Sequence, residues 1–157
     1  MNDQTPISYP GETATPQEML GLANHYRLAF DTLRKQKDGK AKTLIAPANL
    51  CAIHGIELYL QALLRLDGTA HSTIRGYQHE LAEMAAQPSV VDLKLGQRTR
   101  AHLQSMTEQR EYLIVRYAPD MTDARSELTR LAATLKELAE KVGHRFDAQN
   151  APTPSGS

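Results

Sequence analysis

The chain has 157 residues, the length of one ordinary domain, with 41% hydrophobic and 23% charged residues. Lys plus Arg and Asp plus Glu both number 18, so the net charge is zero. That excludes a whole-molecule basic surface for non-specific nucleic-acid binding and leaves only a local basic patch. The single cysteine, Cys51, excludes an intrachain disulfide framework and a Cys-based zinc site within one chain.

Leu and Ala number 20 each, against 10 for Val and Ile together, and there are eight aromatics and no Trp. Leu and Ala lose little on entering a helix, whereas β-branched residues favour strands, so the composition predicts an all-α domain. The polar N-terminus shows no signal-peptide pattern, and residues 1–14, rich in Pro, Thr, Ser and Gly, read as a mobile arm. Thr15-Pro16-Gln17-Glu18 is a capping-box pattern with Pro at the first helical position. Met19, Leu22, Ala23, Tyr26, Phe30 and Leu33 then follow at helical steps, which predicts a first helix ending near Gln36. Residues 34–42 hold five bases and one acid, and Gly39 marks the break.

A second helix is expected from Pro47 to Leu66, apolar around most of its circumference and therefore central. It is no membrane span: it carries His54, Glu57, Gln61 and Arg65, and one acid at mid-bilayer costs roughly 2.5–3.5 kcal/mol. A cytoplasmic protein with no membrane partner is the expectation. A third helix is expected from about Tyr77 to Ala86, stopped by Pro88, and a fourth segment from about Leu93 to Thr107. Glu111 to Tyr117 has strand-like composition, but a lone strand has no partner, so it reads as a helix end followed by an extended connection. In the last helix Leu128, Leu131, Leu135, Leu138 and Val142 repeat at 3 and 4, with Thr122 or Asp123 as cap and Gly143 as stop. Residues 144–157 read as a disordered tail, leaving 15–143 as one helical bundle of four to five helices.

Three elements resemble a known family. Glu57-Leu58-Tyr59-Leu60-Gln61-Ala62-Leu63-Leu64 is similar to the second helix of HEPN domains, the "higher eukaryotes and prokaryotes nucleotide-binding" domains, with Gln61 in place of the usual Lys. Gly76-Tyr77-Gln78-His79-Glu80-Leu81 resembles the element that opens the family's next helix, with two residues inserted between Gly and His. Arg116-Tyr117-Ala118-Pro119 resembles the Arg-Tyr-Pro after the fourth helix. The resemblance spans about residues 17 to 142. It implies an all-α bundle, often a homodimer, in a family of ribonuclease toxins paired with nucleotidyltransferase-like antitoxins and of non-catalytic members that bind RNA, a nucleotide or a partner.

Catalytic members carry Arg, four to six residues, then His near the start of the last helix. There His moves a proton and Arg stabilises phosphorane charge. Here Arg125 and Arg130 have no His at that distance, so the resemblance implies a non-catalytic binding domain. Its candidate site is Glu57, His79 and Arg116, with His54 and Tyr117 beside them. The alternative is a metal-independent ribonuclease with a displaced pair, Arg75/His79, Arg98/His102 or Arg65/His71. A third reading is a structural helical protein in which Glu57 merely pairs with Arg116 or His79 to tie helices together. No cofactor pattern, phosphate loop or His-Glu-x-x-His metal pattern is present in the sequence.

Overall fold

The computed structural model describes residues 9–36, 42–121 and 125–151, and in them the chain is all-helical. Thr15 caps α1 (Pro16–Arg34) as the sequence predicts. Its hydroxyl accepts the Glu18 N–H and the Glu18 carboxylate accepts the Thr15 N–H, both at 3.1 Å. Such a cap stabilises a helix by about 1 kcal/mol. Next comes α2 (Ile45–Leu66), which begins two residues before Pro47. Proline is tolerated there because first-turn N–H groups have no intrahelical acceptor.

The central position expected of this second helix is what the fold shows. It packs most closely against α1 and α8 (Leu128–Asn150) and also meets the shorter helices, with α6 (Gln97–Glu108) the farthest from it. Leu60, Leu63 and Leu64 of α2 meet Leu131, Leu135 and Leu138 of α8 in one core. Burying each such side chain stabilises the fold by about 1.5–3 kcal/mol. Gly55 sets the crossing. A Cβ there would lie 3.3 Å from Leu135 Cδ2 and 3.6 Å from Tyr26 Cβ, so the missing side chain lets three helices approach.

The middle of the chain is more broken than the apolar pattern suggests, and eight helices are described rather than four or five. The single helix expected over 77–86 is instead α3 (His71–Tyr77), a turn, and α4 (Leu81–Ala85). Gln78 makes the break. Its φ of 51° and ψ of −115° are those of the first central residue of a type II′ turn, closed by the Glu80 N–H to Tyr77 carbonyl bond at 2.9 Å. The helix stops where Pro88 predicts, at Ala85 with Gln87 extended before the proline, and Pro88 itself opens a short helix, α5 (Pro88–Val91), at the position where proline is pre-organised.

Gly96 is the N-cap of α6, which begins at Gln97, four residues after the expected start at Leu93. Residues 111–117 form a helix of their own, α7 (Glu111–Tyr117), and not a helix end with an extended connection. Arg110, in the left-handed conformation at φ 50°, separates it from α6. Gly143 does not stop the last helix, which continues to Asn150. The proposed caps Thr122 and Asp123 lie outside the described residues, as do residues 1–8, 37–41 and 152–157. Residues 9–14 form two turns, with Glu12 N–H to Tyr9 carbonyl at 2.9 Å and Ala14 N–H to Gly11 carbonyl at 3.1 Å. No helix among the described residues is long and apolar enough to cross a membrane.

Candidate functional site

A polar stripe on an apolar helix needs partners, and Glu57 shows where they come from. It is 7% exposed, at the middle of α2. Its Oε2 meets His79 Nδ1 at 3.0 Å, and its Oε1 accepts from Gln61 Nε2 at 3.1 Å. A carboxylate stranded there would cost several kcal/mol, so these two bonds are what make its burial tolerable. The type II′ turn at Gln78 delivers His79. Without it α3 would continue and carry the imidazole elsewhere. Holding a side-chain-bearing residue at positive φ costs about 1–3 kcal/mol, and the strain sits next to the residue it aims. Tyr112 of α7 packs on the other side, its ring centroid 4.4 Å from that of His79.

Glu57 and His79 open into a cleft of about 320 Å³ whose walls include Gln61, His71, Arg75 and Tyr9. With the Nδ1–H of His79 donated to Glu57, its Nε2 is left to accept or transfer a proton. That is the arrangement of a carboxylate-oriented imidazole. Arg75 lies with its guanidinium 4.3 Å from the centroid of the Tyr9 ring. The cleft therefore offers one imidazole held by a carboxylate, one guanidinium and an aromatic face.

The other predicted site residues divide. His54 sits one turn before Glu57, half-buried, with its ring edge-on to Tyr26 at 4.5 Å. Burial pushes its pKa down. The Glu57 charge opposes this, and the charges of Arg116 and His79 add to it. Arg116 thus acts on the cluster through its field, but among the described residues no Glu57–Arg116 ion pair forms, and the guanidinium is exposed at the end of α7. Tyr117 is 75% exposed and lies with Arg116, Ala46, Pro47 and Leu50 along a separate shallow hollow.

Of the displaced Arg/His pairs, Arg75 and His79 line the same cleft. His71 reaches it without Arg65, which instead donates to the Thr69 carbonyl at 3.4 Å. Arg98 and His102 are not a site: Arg98 is exposed while His102 is buried, and both its ring nitrogens are engaged. Of the basic run, Arg34 is paired with Asp31 at 3.0 Å and lies over Phe30, and residues 37–41 lie outside the described residues.

The partners of His102 form a polar network that sequence reasoning missed. Glu111, only 2% exposed, accepts both the backbone N–H of Ser126 and its hydroxyl, the latter at 2.7 Å. A carboxylate can only accept, so Ser126 Oγ must take its own hydrogen bond from His102 Nε2 at 2.7 Å. His102 Nδ1 then accepts from Thr134 Oγ1 at 2.7 Å. Every proton runs one way, from Thr134 to Glu111, around a neutral imidazole. Burial, with the Arg130 charge, lowers the His102 pKa to about 4. Burial likewise raises that of Glu111, against the pull of the two Ser126 bonds and of Arg125. The order is wrong for a nucleophilic triad, in which the carboxylate orients the imidazole and not the hydroxyl. The network pins the segment before α8 to α6 and α7.

A second carboxylate, Glu137 of α8, reaches across to the start of α6. It accepts the Gly96 N–H at 2.8 Å and the Thr99 hydroxyl at 2.5 Å, and pairs with Lys141 at 2.7 Å. Burial alone would raise its pKa. The bonds from Lys141, Thr99 and Gly96, together with the Lys141 charge, hold it at about 2. Among the described residues no group of three His, Cys, Asp or Glu is arranged to hold a metal ion. Comparison with family models, with curated proteins and with solved structures finds no match to this chain.

Proposed function

We propose that this chain is a HEPN-like helical domain that binds a nucleotide, free or as one residue of an RNA strand, in the cleft above Glu57 and His79. The observation that carries this reading is the convergence of the Glu57–His79 pair, Arg75 and Tyr9 on one cavity. A volume of about 320 Å³ lies at the lower end of small-molecule pockets and suits one nucleotide, not a duplex. The residue types are those such a ligand asks for: a cation for phosphate and polar side chains for the ribose hydroxyls.

A second reading rests on a specific observation. Arg75 and His79 share the cleft, and Glu57 leaves His79 Nε2 available, so the same groups suit cleavage of a phosphodiester by proton transfer at a ribose hydroxyl. Incubation with mixed RNA separates the two. Under the binding reading RNA is retarded in a salt-dependent way and stays intact, and His79→Ala weakens the retardation. Cleavage that His79→Ala abolishes establishes the second reading. RNA and nucleotides that neither bind nor react leave Glu57–His79 as a structural tie between α2 and the turn before α4. The homodimer and the nucleotidyltransferase-like partner implied by the resemblance belong to the same proposal. The exposed Ile45, Tyr117 and Met121 supply apolar surface for such a contact.

A further inference from the structure

The cleft is not uniform, and its asymmetry says which way round a ligand lies. One group of its lining residues is joined by contacts of their own, with Glu57 already occupied by His79 and Gln61. A second group is Tyr9, His71 and Arg75, which lie against one another. His71 begins α3, and both of its ring nitrogens are buried without a hydrogen-bond partner. Native interiors seldom leave both nitrogens of an imidazole unsatisfied, and a bound group that completes their hydrogen bonding is one way to satisfy them. Arg75 makes no ion pair with a carboxylate among the described residues. Its guanidinium rests on the Tyr9 ring at 4.3 Å, while the His71 ring lies 6.2 Å from the same ring. Tyr9 is itself held by a turn, with its N–H donated to Glu12 Oε2 at 3.0 Å.

The geometry points to a phosphate subsite made by His71 and Arg75 beneath Tyr9, which takes the phosphate of a phosphate monoester and leaves its hydroxyl-bearing portion toward His79. This rests on the nucleotide-binding reading and fixes the ligand's polarity. An anion is repelled by the Glu57 carboxylate and drawn to the unpaired Arg75 guanidinium, and it reaches the buried His71 nitrogens where the turn carrying Tyr9 and Gly11 lifts from that ring. A phosphate oxygen accepts from both. Arginine presents a donor fork suited to it, and such charge-assisted bonds are among the stronger ones. The neutral ribose hydroxyls fit the end where a carboxylate and an imidazole already exchange a hydrogen bond.

The test is titration of the full chain with AMP, adenosine and inorganic phosphate, read by calorimetry and by the ¹⁵N resonances of the His71 ring. His71→Phe keeps the ring and removes the unsatisfied nitrogens, so this variant folds and melts no lower than wild type. Arg75→Gln is the second variant. The expected result is that AMP and inorganic phosphate both shift the His71 resonances and compete with each other. Each variant then weakens AMP by about tenfold or more, the loss of one charge-assisted bond, and leaves adenosine unchanged. Inorganic phosphate binding as tightly as AMP upholds the subsite and overturns the nucleotide reading. Adenosine binding as tightly as AMP, with both variants neutral, overturns the subsite and leaves the nucleotide reading standing. Silence of His71 while AMP binds by calorimetry overturns the subsite alone, and no heat and no shift with any of the three ligands overturns both.

Discussion

Ser126→Ala removes one oxygen atom, and the structure says that this atom holds three elements together. Its hydroxyl receives the Nε2–H of His102 and donates to Glu111, each at 2.7 Å. The backbone bond from Ser126 N–H to Glu111 survives the substitution. What remains is a buried imidazole N–H without an acceptor and a buried carboxylate oxygen without its hydroxyl donor. A neutral buried group left unpaired costs about 1–3 kcal/mol and a charged one more, while water entering beside the half-exposed Ser126 recovers part of this. The expected loss is therefore about 2–4 kcal/mol, out of a total of about 5–15 kcal/mol for a domain of this kind. In urea unfolding followed by circular dichroism, with a slope of about 2 kcal/mol/M, the midpoint falls by about 1–2 M at unchanged slope. Ser105→Ala, at an exposed position of α6, is the control and stays within about 0.5 kcal/mol of wild type. A Ser126→Ala protein as stable as that control would refute the one-way chain from Thr134 to Glu111.

Four further outcomes follow from the structure. His102 has a folded pKa of about 4, below its unfolded value near 6.5, so the unfolded chain binds more protons between those values. Its contribution is complete above pH 6.5 and is lost as pH falls toward 4, by about 1.4 kcal/mol per unit, with Glu111, raised by burial, opposing it at the acid end. The ring resonances of His102 in an NMR titration check this by staying at their neutral positions down to pH 5. Glu137 is also lowered, to about 2, so its contribution is present above pH 4.5 and is lost as pH falls through 2; Glu137→Gln, measured at pH 7, costs about 1–3 kcal/mol and frays the start of α6 in amide exchange. Gln78→Gly relieves a positive φ and raises the urea midpoint by the equivalent of about 1 kcal/mol, with the His79 ring unmoved in its NMR spectrum. Gly55→Val forces side-chain atoms between α1, α2 and α8 and lowers stability by about 1–3 kcal/mol, visible as an earlier thermal melt.

How much of this was legible in the sequence varies along the chain with the kind of force at work. The capping box at Thr15 and the apolar repeat from Leu128 to Val142 are local or strictly periodic, and both appear where the residues place them. The centrality of α2 follows from an apolar circumference that only an interior position can bury. The breaks at Gln78 and Arg110 were not legible, because a left-handed residue that is neither Gly nor Asn gives no local signal. There the surrounding packing overrides local preference: α7 turns to bring Tyr112 onto His79 and Glu111 onto Ser126. Gly143 misled for the opposite reason, since nothing lies within 4 Å of its missing Cβ and a glycine costs a long helix only about 1 kcal/mol.

The site was half legible. Glu57 announced itself as an acid on an apolar helix, and His79 as its candidate partner, and they meet at 3.0 Å. The resemblance puts Arg116 and Tyr117 beside them, but both are exposed at the end of α7. Arg98 and His102 looked paired at i,i+4, but the imidazole turns inward to the two hydroxyls, which lie 24 and 32 residues away in sequence. Tyr9 and His71 join the cleft through tertiary folding alone. The only signals for the Glu111 network were a Glu at the head of a strand-like run and a Ser before the last repeat, neither of which specifies a contact.

The most direct measurement is an NMR titration of the full chain with AMP, following the imidazoles of His79, His71 and His102 together. The account predicts saturable shifts at His79 and His71, a still ring at His102, and a weakened response when Glu57→Gln releases His79. Shifts that spare His79 and His71, or that map instead to the hollow beside Tyr117, would contradict it.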